Sequence, residues 1–461
     1  MKGRLHFLYA LRYLRYGFLL CLIPLARALL SFQLQAFFTA LQQDVLILLA
    51  MGFLSVYTWM SARYTLEEDV LELQLGFAFV RGFRYRPQDF AACELRRTLP
   101  MRLVGAAELE LFLTSRASRR SHTLLLPYKQ ALALREALFP TPEDAPVQYR
   151  PSGGEWLMLV ALSTNLLTET ALILYTVNRV QSFLGADFSH IALSRLERLT
   201  LAANAVLPAG FSLLLSLFFL FTLCSLCISM LRTGGFRVAR AGGLLLCRGG
   251  LYTRVEQRIR MSCVNAIDVR HTPLSRLTGF DAIYLYAGGF SNRNTPLLFF
   301  HRRKPAVACQ LLPEMALPQP LPRFAGRTAG QYLWVHGSAL AVGLVFWLLS
   351  LRILPDLAPL LGLLCLLWLA LLAVQLEAFF TEGYAPLPGR RACFAYSRRF
   401  TRHFVTAFLG GCSYTVQASS LSVQEDRATL TVCTPAGRRL TARGVCKSEA
   451  DAFVRQCVYR P

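Results

Sequence analysis

The chain has 461 residues, of which 54% are hydrophobic and 16% are charged, and its formal net charge at pH 7 is +22. A soluble protein of this length is rarely so apolar, and the basic excess comes without a helix-turn-helix, zinc-finger or RNA-binding signature. The composition therefore favours a membrane protein and argues against nucleic acid as the partner.

Apolar segments long enough to cross the roughly 30 Å hydrocarbon core of a bilayer recur in pairs along the chain. We predict six membrane-spanning helices in three pairs, at about 16–40, 43–61, 155–178, 206–231, 332–353 and 356–379. A basic segment follows each pair, and the segments 62–154, 232–330 and 378–461 hold 13, 15 and 12 Lys+Arg residues. Because basic loops stay on the cytoplasmic side, both termini and all three segments are expected to be cytoplasmic.

One sequence pattern occurs twice, and every residue of the second copy follows its counterpart at the same spacing, without a gap. The first copy consists of Gly76, Arg84, Arg86, Arg96, Thr98, Arg102, Leu103 and Gly105. The second copy consists of Gly250, Arg258, Arg260, Arg270, Thr272, Arg276, Leu277 and Gly279. Eight identities in register within a 30-residue window indicate an array of one module, because such self-similarity at a fixed period is the mark of a repeat protein.

Each basic segment has the pattern of several short strands followed by a helix. In the first, Arg63–Leu66 and Val70–Leu75 flank an acidic turn as in a hairpin, and apolar residues recur at helical spacing in Tyr128–Phe139. The second repeats this order and ends in a helix near Pro305–Glu314. We predict that each segment forms an α+β domain, a bent antiparallel sheet or partial barrel whose open end is covered by a C-terminal helix.

The predicted organisation thus alternates pairs of membrane helices with cytoplasmic domains. The helix pairs occupy 1–61, 151–232 and 330–379. The domains occupy 62–150, 233–320 and 380–461.

The motif residues of the second domain are Gly250–Arg254, Arg258–Arg260, Val264–Val269 and Thr272–Gly279. These segments resemble the bacterial pleckstrin-homology-like (PH-like) domain of the membrane-attached, second type. The alternation of paired spans and domains is similar to that of the YdbT-like membrane proteins of bacteria. The resemblance implies three PH-like domains, a location in the bacterial cytoplasmic membrane and a tendency of the domains to oligomerise. A fold shared with eukaryotic lipid-binding modules does not by itself imply phosphoinositide binding.

The copies differ in how well they keep the motif. In the first domain, Leu99 stands where the second has Pro273. The third domain lacks the Arg-x-x-Gly element and has Gln424–Arg427 in its place. If that element supports a shared activity, the third copy is expected to be structural.

The basic residues of the second domain are the candidate contacts for a lipid phosphate or a partner: Arg254, Arg258, Arg260, Arg270 and Arg276. The first three alternate along a predicted strand, so they are expected to project from one face. Three guanidinium groups on one face could bind lipid phosphate bidentately; the alternative is that these three side chains anchor loops or form ion pairs with Glu256 and Asp268. Gly105 and Gly279 are expected to form turns that require glycine.

Two ionisable residues fall deep within predicted spans, Arg27 in the first and Glu169 in the third. Charges at such depth usually pair or line a wet cavity. We therefore hypothesise a buried Arg27–Glu169 pair. The alternatives are that Arg27 snorkels or its span is shifted, and that Glu169 forms a local hydrogen bond with Asn165 or Thr168. A transporter or channel component that uses these two residues is a further alternative.

No sequence motif for catalysis, for a metal or for a cofactor is present, so an enzyme is not expected. The sequence favours a non-catalytic membrane scaffold or assembly protein. Its domains are expected to associate with copies of the chain or with a smaller related PH-like membrane protein. The alternative is binding of anionic lipid at the inner leaflet through the basic domains.

Overall fold

The computed structural model describes residues 1–11, 34–75, 81–114, 121–141, 147–163, 209–291, 296–302, 304–319, 321, 330–398, 400–418, 426–435 and 437–459. Much of the first and third predicted spans lies outside these ranges. So do Arg27 and Glu169, and their predicted pairing therefore falls outside the described residues.

Several helices are apolar on all their faces. A helix of this kind must contact lipid or protein on every side. These helices are α1 (Leu34–Ser61), α4 (Gly153–Ser163), α5 (Ala209–Thr233), α8 (Gly330–Ile353) and α9 (Ala358–Thr381). A 3₁₀ turn at Pro355–Leu357 joins α8 to α9 in a hairpin. The outer surface of this hairpin is apolar, with Trp334 and Leu363 exposed.

Within the described ranges, two helices are long and apolar enough to cross a membrane, Tyr332–Ile353 and Ala358–Thr381. The prediction of six spanning helices is wrong. Near the second and fourth predicted spans, the apolar segments Val45–Ser61 and Phe219–Thr233 form the C-terminal parts of α1 and α5 and have at most 17 residues. A spanning helix needs about 20 consecutive apolar residues, so these segments by themselves fall short. The two longer helices are compatible with membrane association, and the rest of the described chain is mainly an α+β structure.

Strands and short helices recur in one order in three units. Unit 1 comprises β2 (Arg63–Glu67), β3 (Val70–Leu75), β4 (Arg81–Tyr85), β5 (Phe90–Arg97), α2 (Leu99–Leu103), β6 (Ala106–Leu113), β7 (Ser121–Pro127) and α3 (Tyr128–Leu138). Unit 2 comprises β9 (Arg237–Ala241), β10 (Leu244–Gly249), β11 (Arg254–Arg260), β12 (Val264–His271), α6 (Pro273–Thr278), β13 (Phe280–Ala287), β14 (Phe290–Ser291), β15 (Leu298–His301) and α7 (Ala306–Leu311). Unit 3 comprises β16 (Gly383–Leu387), β17 (Arg391–Arg398), β18 (Thr401–Phe408), β19 (Ser413–Gln417), β20 (Arg427–Cys433), β21 (Arg439–Cys446) and α10 (Lys447–Tyr459). Two short strands, β1 (Lys2–Arg4) and β8 (Val147–Tyr149), lie outside the units.

The strands form where side chains alternate between apolar and polar, since successive residues of a strand face opposite sides of the sheet. In β6, Leu109 and Leu111 are fully buried, whereas Glu108 and Glu110 are partly exposed. The short helix α6 is capped by Thr272, whose Oγ1 accepts a hydrogen bond from the backbone N–H of Ser275 at 3.1 Å. A hydroxyl in this position satisfies one of the free N–H groups of the first helical turn.

The strands form four antiparallel sheets that do not coincide with the three units. The strand orders are β1-β2-β3-β4, β7-β6-β5-β11-β10-β9-β8, β14-β13-β12-β18-β17-β16 with β15 on β13, and β19-β20-β21. The second half of unit 1 thus shares a sheet with the first half of unit 2, and units 2 and 3 are joined in the same way. The expectation that each domain closes its own sheet is therefore wrong: the fourth strand of a unit finds its hydrogen-bonding partner in the next unit.

The apolar cores follow the shared sheets. One cluster lies in unit 1 around Phe90, Leu109 and Leu134. A larger, continuous cluster extends from Ala92 of unit 1 through unit 2 to Phe453 of unit 3. Because burial of apolar surface is the main stabilising contribution in folding, units 2 and 3 are expected to unfold together.

Candidate functional site: the junctions between repeated units

Two strand pairs join the three units, and both have the same register. At the first junction β5 pairs with β11, with Arg97 opposite Arg254. At the second junction β12 pairs with β18, with His271 opposite Arg402. His271 follows Arg97 at the spacing that separates the two copies of the sequence repeat, so the same position of the fourth strand is used twice. The junction is therefore itself a repeated structural element.

A network of charged side chains closes the first junction beneath α3. Arg258 of β11 is buried, forms an ion pair with Glu136 of α3, and donates to the carbonyl oxygen of Phe139 at 2.5 Å. Arg135 Nη1 donates to Glu256 at 2.5 Å, and Arg260 Nη2 donates to the carbonyl oxygen of Leu138 at 2.8 Å. The hydrogen bond from Arg258 is the main reason that the pKa of Glu136 lies below its usual value. Buried arginines of both units are thus paired with partly exposed carboxylates of the neighbouring unit.

The repeated Arg-x-x-Gly turn holds the next unit. Arg102 Nη2 of the first copy donates to the carbonyl oxygens of Leu251 and Tyr252, at 2.7 and 3.2 Å. Arg276 Nη2 of the second copy donates to the carbonyl oxygen of Phe400 at 2.8 Å. Each acceptor lies in the loop between the second and third strands of the following unit. The repeated arginine therefore fixes the position of one unit relative to the next.

The end of a long helix also enters the second junction. Glu377 of α9 accepts Arg276 Nη2 at 2.5 Å and Arg402 Nε at 3.0 Å. Tyr332 near the start of α8 donates to Glu382 Oε2 at 2.6 Å, and Arg443 of β21 binds the same carboxylate. The α8–α9 hairpin is therefore attached to the sheet domains by ion pairs as well as by the chain.

A fully buried carboxylate lies at the centre of the second junction. Asp268 of β12 meets Arg270 Nε and Arg438 Nη2, each at 2.8 Å, and His403 Nδ1 at 3.1 Å. Arg270 also lies over the ring of Tyr284, 3.5 Å from its centroid. Burial alone raises the pKa of Asp268, but the positive charges around it lower that pKa far below its usual value. Asp268 is therefore an ionised centre that holds side chains of two units together.

The sequence-predicted candidates occupy different environments. Arg254 is exposed, whereas Arg258 and Arg260 contact α3 of the preceding unit. Arg270 belongs to the group around Asp268, and Arg276 contacts unit 3 and α9. The two motif glycines end the short helices in the left-handed region, with φ values of +68° for Gly105 and +75° for Gly279. The roles of these arginines toward lipid or a partner stay predictions.

Sequence reasoning missed the partners that lie far away in the sequence. Glu136 lies 122 residues before Arg258, and His403 lies 135 residues after Asp268. Nothing in a single sequence links residues so far apart. One signal was available: the constant spacing of the repeat shows that strands of neighbouring units occupy equivalent positions, and edge strands of a repeat need a partner.

A basic pocket of about 240 Å³ lies beside the C-terminal end of α5. We call it the arginine pocket; its lining residues are Gly234, Gly235, Arg237, Arg248, Gly249, Gly250, Leu251 and Arg254. Gly250 has a φ of +94° and donates its N–H to the carbonyl oxygen of Gly234 at 2.8 Å. The glycines bring two stretches of backbone close together, which leaves the arginine side chains at the rim.

Replacement of Gly250 by alanine is expected to destabilise this pocket. A Cβ there would lie 1.9 Å from the carbonyl oxygen of Thr253, and the positive φ is unfavourable for any side chain. We expect a loss of about 1–3 kcal/mol in the free energy of unfolding, measured as a lower thermal midpoint of the full chain in detergent. Gly243→Ala is the control, since its Cβ meets no atom within 4 Å. Equal midpoints for the two variants would contradict this account.

Two observations on the described residues concern metal binding and thiol chemistry. They contain no group of three or more His, Cys, Asp or Glu side chains placed to hold a metal ion. Burial raises the pKa of the Cys93 thiol to about 12 and that of Cys393 to about 11, which makes both poor nucleophiles. The chemistry that the junctions support is the binding of charged and hydrogen-bonding groups.

No protein-family model matches the chain, and comparison with curated proteins and with solved structures gives no match. The function is therefore inferred from the geometry of the junctions.

Proposed function

We propose that the protein is a non-catalytic, membrane-attached assembly protein that extends its array of units by binding further units of the same kind. The observation that supports this proposal is the junction itself, which the chain forms twice with the same strands and register. The α8–α9 hairpin supplies the membrane attachment. The resemblance to the YdbT-like proteins, whose PH-like domains tend to oligomerise, points the same way.

Both ends of the array carry a strand of the kind that forms the junctions. β4 is the third strand of unit 1, the position that β11 occupies in unit 2. Unlike β11, β4 is the last strand of its sheet. β19 is the fourth strand of unit 3 and also the last strand of its sheet. A sheet edge of this kind is a template for pairing with another chain. A β19 edge that meets a β4 edge would repeat the junction between chains.

The register of the inner junctions predicts how two such edges fit. Transferred by the repeat, and allowing for the bulge residue that β5 and β12 contain and that β19 does not show, it places Phe83 of β4 opposite Thr415 of β19, and Arg81 opposite Gln417. The core side of β4, which carries Phe83, then lies on the opposite face of the joint sheet from the core side of β19, which carries Val416, as the cores of units 1 and 2 do at the first junction. The partner that we propose first is a second copy of this chain, and a smaller related membrane protein is the alternative.

This proposal predicts opposite effects of opposite charges at one position. Gln417→Arg is expected to weaken self-association several-fold, because it would face Arg81, whereas Gln417→Glu is expected to strengthen it by a similar factor. The measurement is the mass of the full chain in detergent by size-exclusion chromatography with light scattering, over a range of concentrations.

The same two charges at exposed Ser448, outside the strand, are the control and should have no effect. If both Gln417 variants have the mass of the wild type at every concentration, self-association through this edge is contradicted. Cross-linking in native membranes, followed by mass spectrometry of peptides attached to β4 or β19, then tests the related partner.

A further inference from the structure

Arginines of two units gather at the C-terminal end of α5. Arg237, Arg248 and Arg254 line the arginine pocket, and unit 1 adds Arg97 and Arg102 beside it. Arg97 lies directly opposite Arg254 across the first junction, and Arg102 binds the carbonyl oxygen of Leu251 in the pocket wall. Burial and the nearby charges of Arg254 and Arg97 lower the pKa of Arg102. The cluster is therefore strongly positive.

Two pairs of arginines lie directly opposite each other on neighbouring strands of this sheet. Arg254 stands opposite Arg97, and Arg248 stands opposite Arg237. Like charges placed directly across two strands are destabilising. Glu256 binds Arg248 at 3.4 Å but also binds Arg135 at 2.5 Å. The Nε atoms of Arg97 and Arg102 have no acceptor among the described residues. These arginines thus hold more positive charge than their described neighbours balance.

The second junction shows what compensates the same arrangement. There the repeated Arg276 and the strand residue Arg402, which is equivalent to Arg254, share the carboxylate of Glu377 from α9. The helix in the corresponding position before unit 2 is α5, and its sequence contains neither Asp nor Glu. At the second junction α9 thus supplies the carboxylate of Glu377 to the arginines. At the first junction α5 supplies no carboxylate.

Exposed apolar side chains surround the cluster. Leu103, next to Arg102, is 86% exposed, and Leu251 and Tyr252 are also exposed. In the second copy Leu277 is 87% exposed, and its neighbour Arg276 binds Glu377 near the end of a helix that could cross a membrane. The second of the repeated turns therefore lies beside the end of that helix. Leucine inserted among acyl chains beside arginine at the phosphates is the usual arrangement at a bilayer surface.

We propose that the arginine pocket, with Arg97 and Arg102, binds the phosphate of an anionic phospholipid of the bilayer to which the α8–α9 hairpin attaches the protein. The phosphate takes the place that the carboxylate of Glu377 has at the second junction. Leu103, Leu251 and Tyr252 contact the acyl chains of the same leaflet. This site is distinct from the β4 and β19 edges, so it can fail without affecting the proposed assembly.

The test uses the full chain in a neutral detergent and measures bound lipid by native mass spectrometry. Phosphatidylglycerol is the probe, and phosphatidylcholine and inorganic phosphate are the comparison ligands. We expect Arg254→Gln to weaken phosphatidylglycerol binding about tenfold, since one hydrogen bond between charged groups is lost. Arg96→Gln, with the same loss of charge at an exposed position of β5, is the control and should bind as the wild type does.

A gain of binding provides a second, independent variant. Glu377→Gln removes the carboxylate from the second junction, so Arg276 and Arg402 should then take up a further phosphatidylglycerol molecule. Equal binding of phosphatidylglycerol and phosphatidylcholine, with no effect of Arg254→Gln, would overturn the proposal. Binding of inorganic phosphate but not of phosphatidylglycerol at these arginines would overturn the lipid assignment as well.

Discussion

Replacement of Asp268 by asparagine is expected to lower the free energy of unfolding by about 3–5 kcal/mol, the usual effect of removing one member of a buried ion pair. The carboxylate has no solvent exposure and neutralises Arg270 and Arg438. Asparagine preserves the shape but leaves two guanidinium groups in the core without an anion. The measurement is the thermal or denaturant midpoint of the full chain in detergent.

The control for this prediction is Asp69→Asn, at an exposed turn position with a φ of +61° that asparagine also adopts. Its effect is expected to stay below about 0.5 kcal/mol. A loss of less than about 1 kcal/mol for Asp268→Asn would show that the two arginines find other partners. The junction would then not depend on this charge.

The same carboxylate gives a pH dependence with a defined sign. The pKa of Asp268 is lower in the folded chain than the value of about 3.9 expected in the unfolded chain. Its contribution to stability is therefore complete above that unfolded value and is lost as the pH falls below it. The wild type should consequently lose more stability than Asp268→Asn between neutral pH and pH values below about 4.

Replacement of Arg258 by methionine is expected to lower the free energy of unfolding by about 3 kcal/mol, because Glu136 and the carbonyl oxygen of Phe139 lose a buried donor. Methionine retains much of the side-chain volume, so the effect reports mainly on the polar contacts. The readout is again the unfolding midpoint of the full chain.

The repeat provides a matched control for this variant. Arg84 is the equivalent residue of unit 1, the first of the three described units, and its side chain is 79% exposed in an ion pair with Glu72 at 2.7 Å. Exposed ion pairs contribute at most about 1 kcal/mol, so Arg84→Met should have little effect. Similar losses for the two variants would contradict the view that position in the array, rather than the repeated residue itself, determines the role.

The repeated residues have a structural explanation that the sequence did not reveal. The sequence comparison identified the arginines at both copies and interpreted those of the second copy as possible contacts for lipid phosphate or a partner. In the structure Arg102 and Arg276 bind backbone carbonyls of the following unit, and Arg258 binds the helix of the preceding one. Residues that recur at a fixed spacing thus serve the contact between units, which occurs once per repeat.

Two features of the fold could be predicted from the sequence because they depend on local patterns. Apolar runs of sufficient length gave the helices Tyr332–Ile353 and Ala358–Thr381, and alternation with turn residues gave strands and a closing helix such as Tyr128–Leu138. The number of spanning helices was overestimated: within the described residues two helices are long and apolar enough to cross a membrane, and the apolar segments Val45–Ser61 and Phe219–Thr233 are shorter.

The sequence by itself determined that one pattern is repeated at a constant spacing, and the positions of the short-helix turns that end in Gly105 and Gly279. The tertiary structure decided which strands pair, and therefore that a sheet belongs to two units rather than to one. The physical reason is that hydrogen bonds along a strand edge can be made with any strand of suitable register. The choice between a partner within the unit and one in the next depends on packing between residues that are distant in the sequence, as at Arg258 and Glu136.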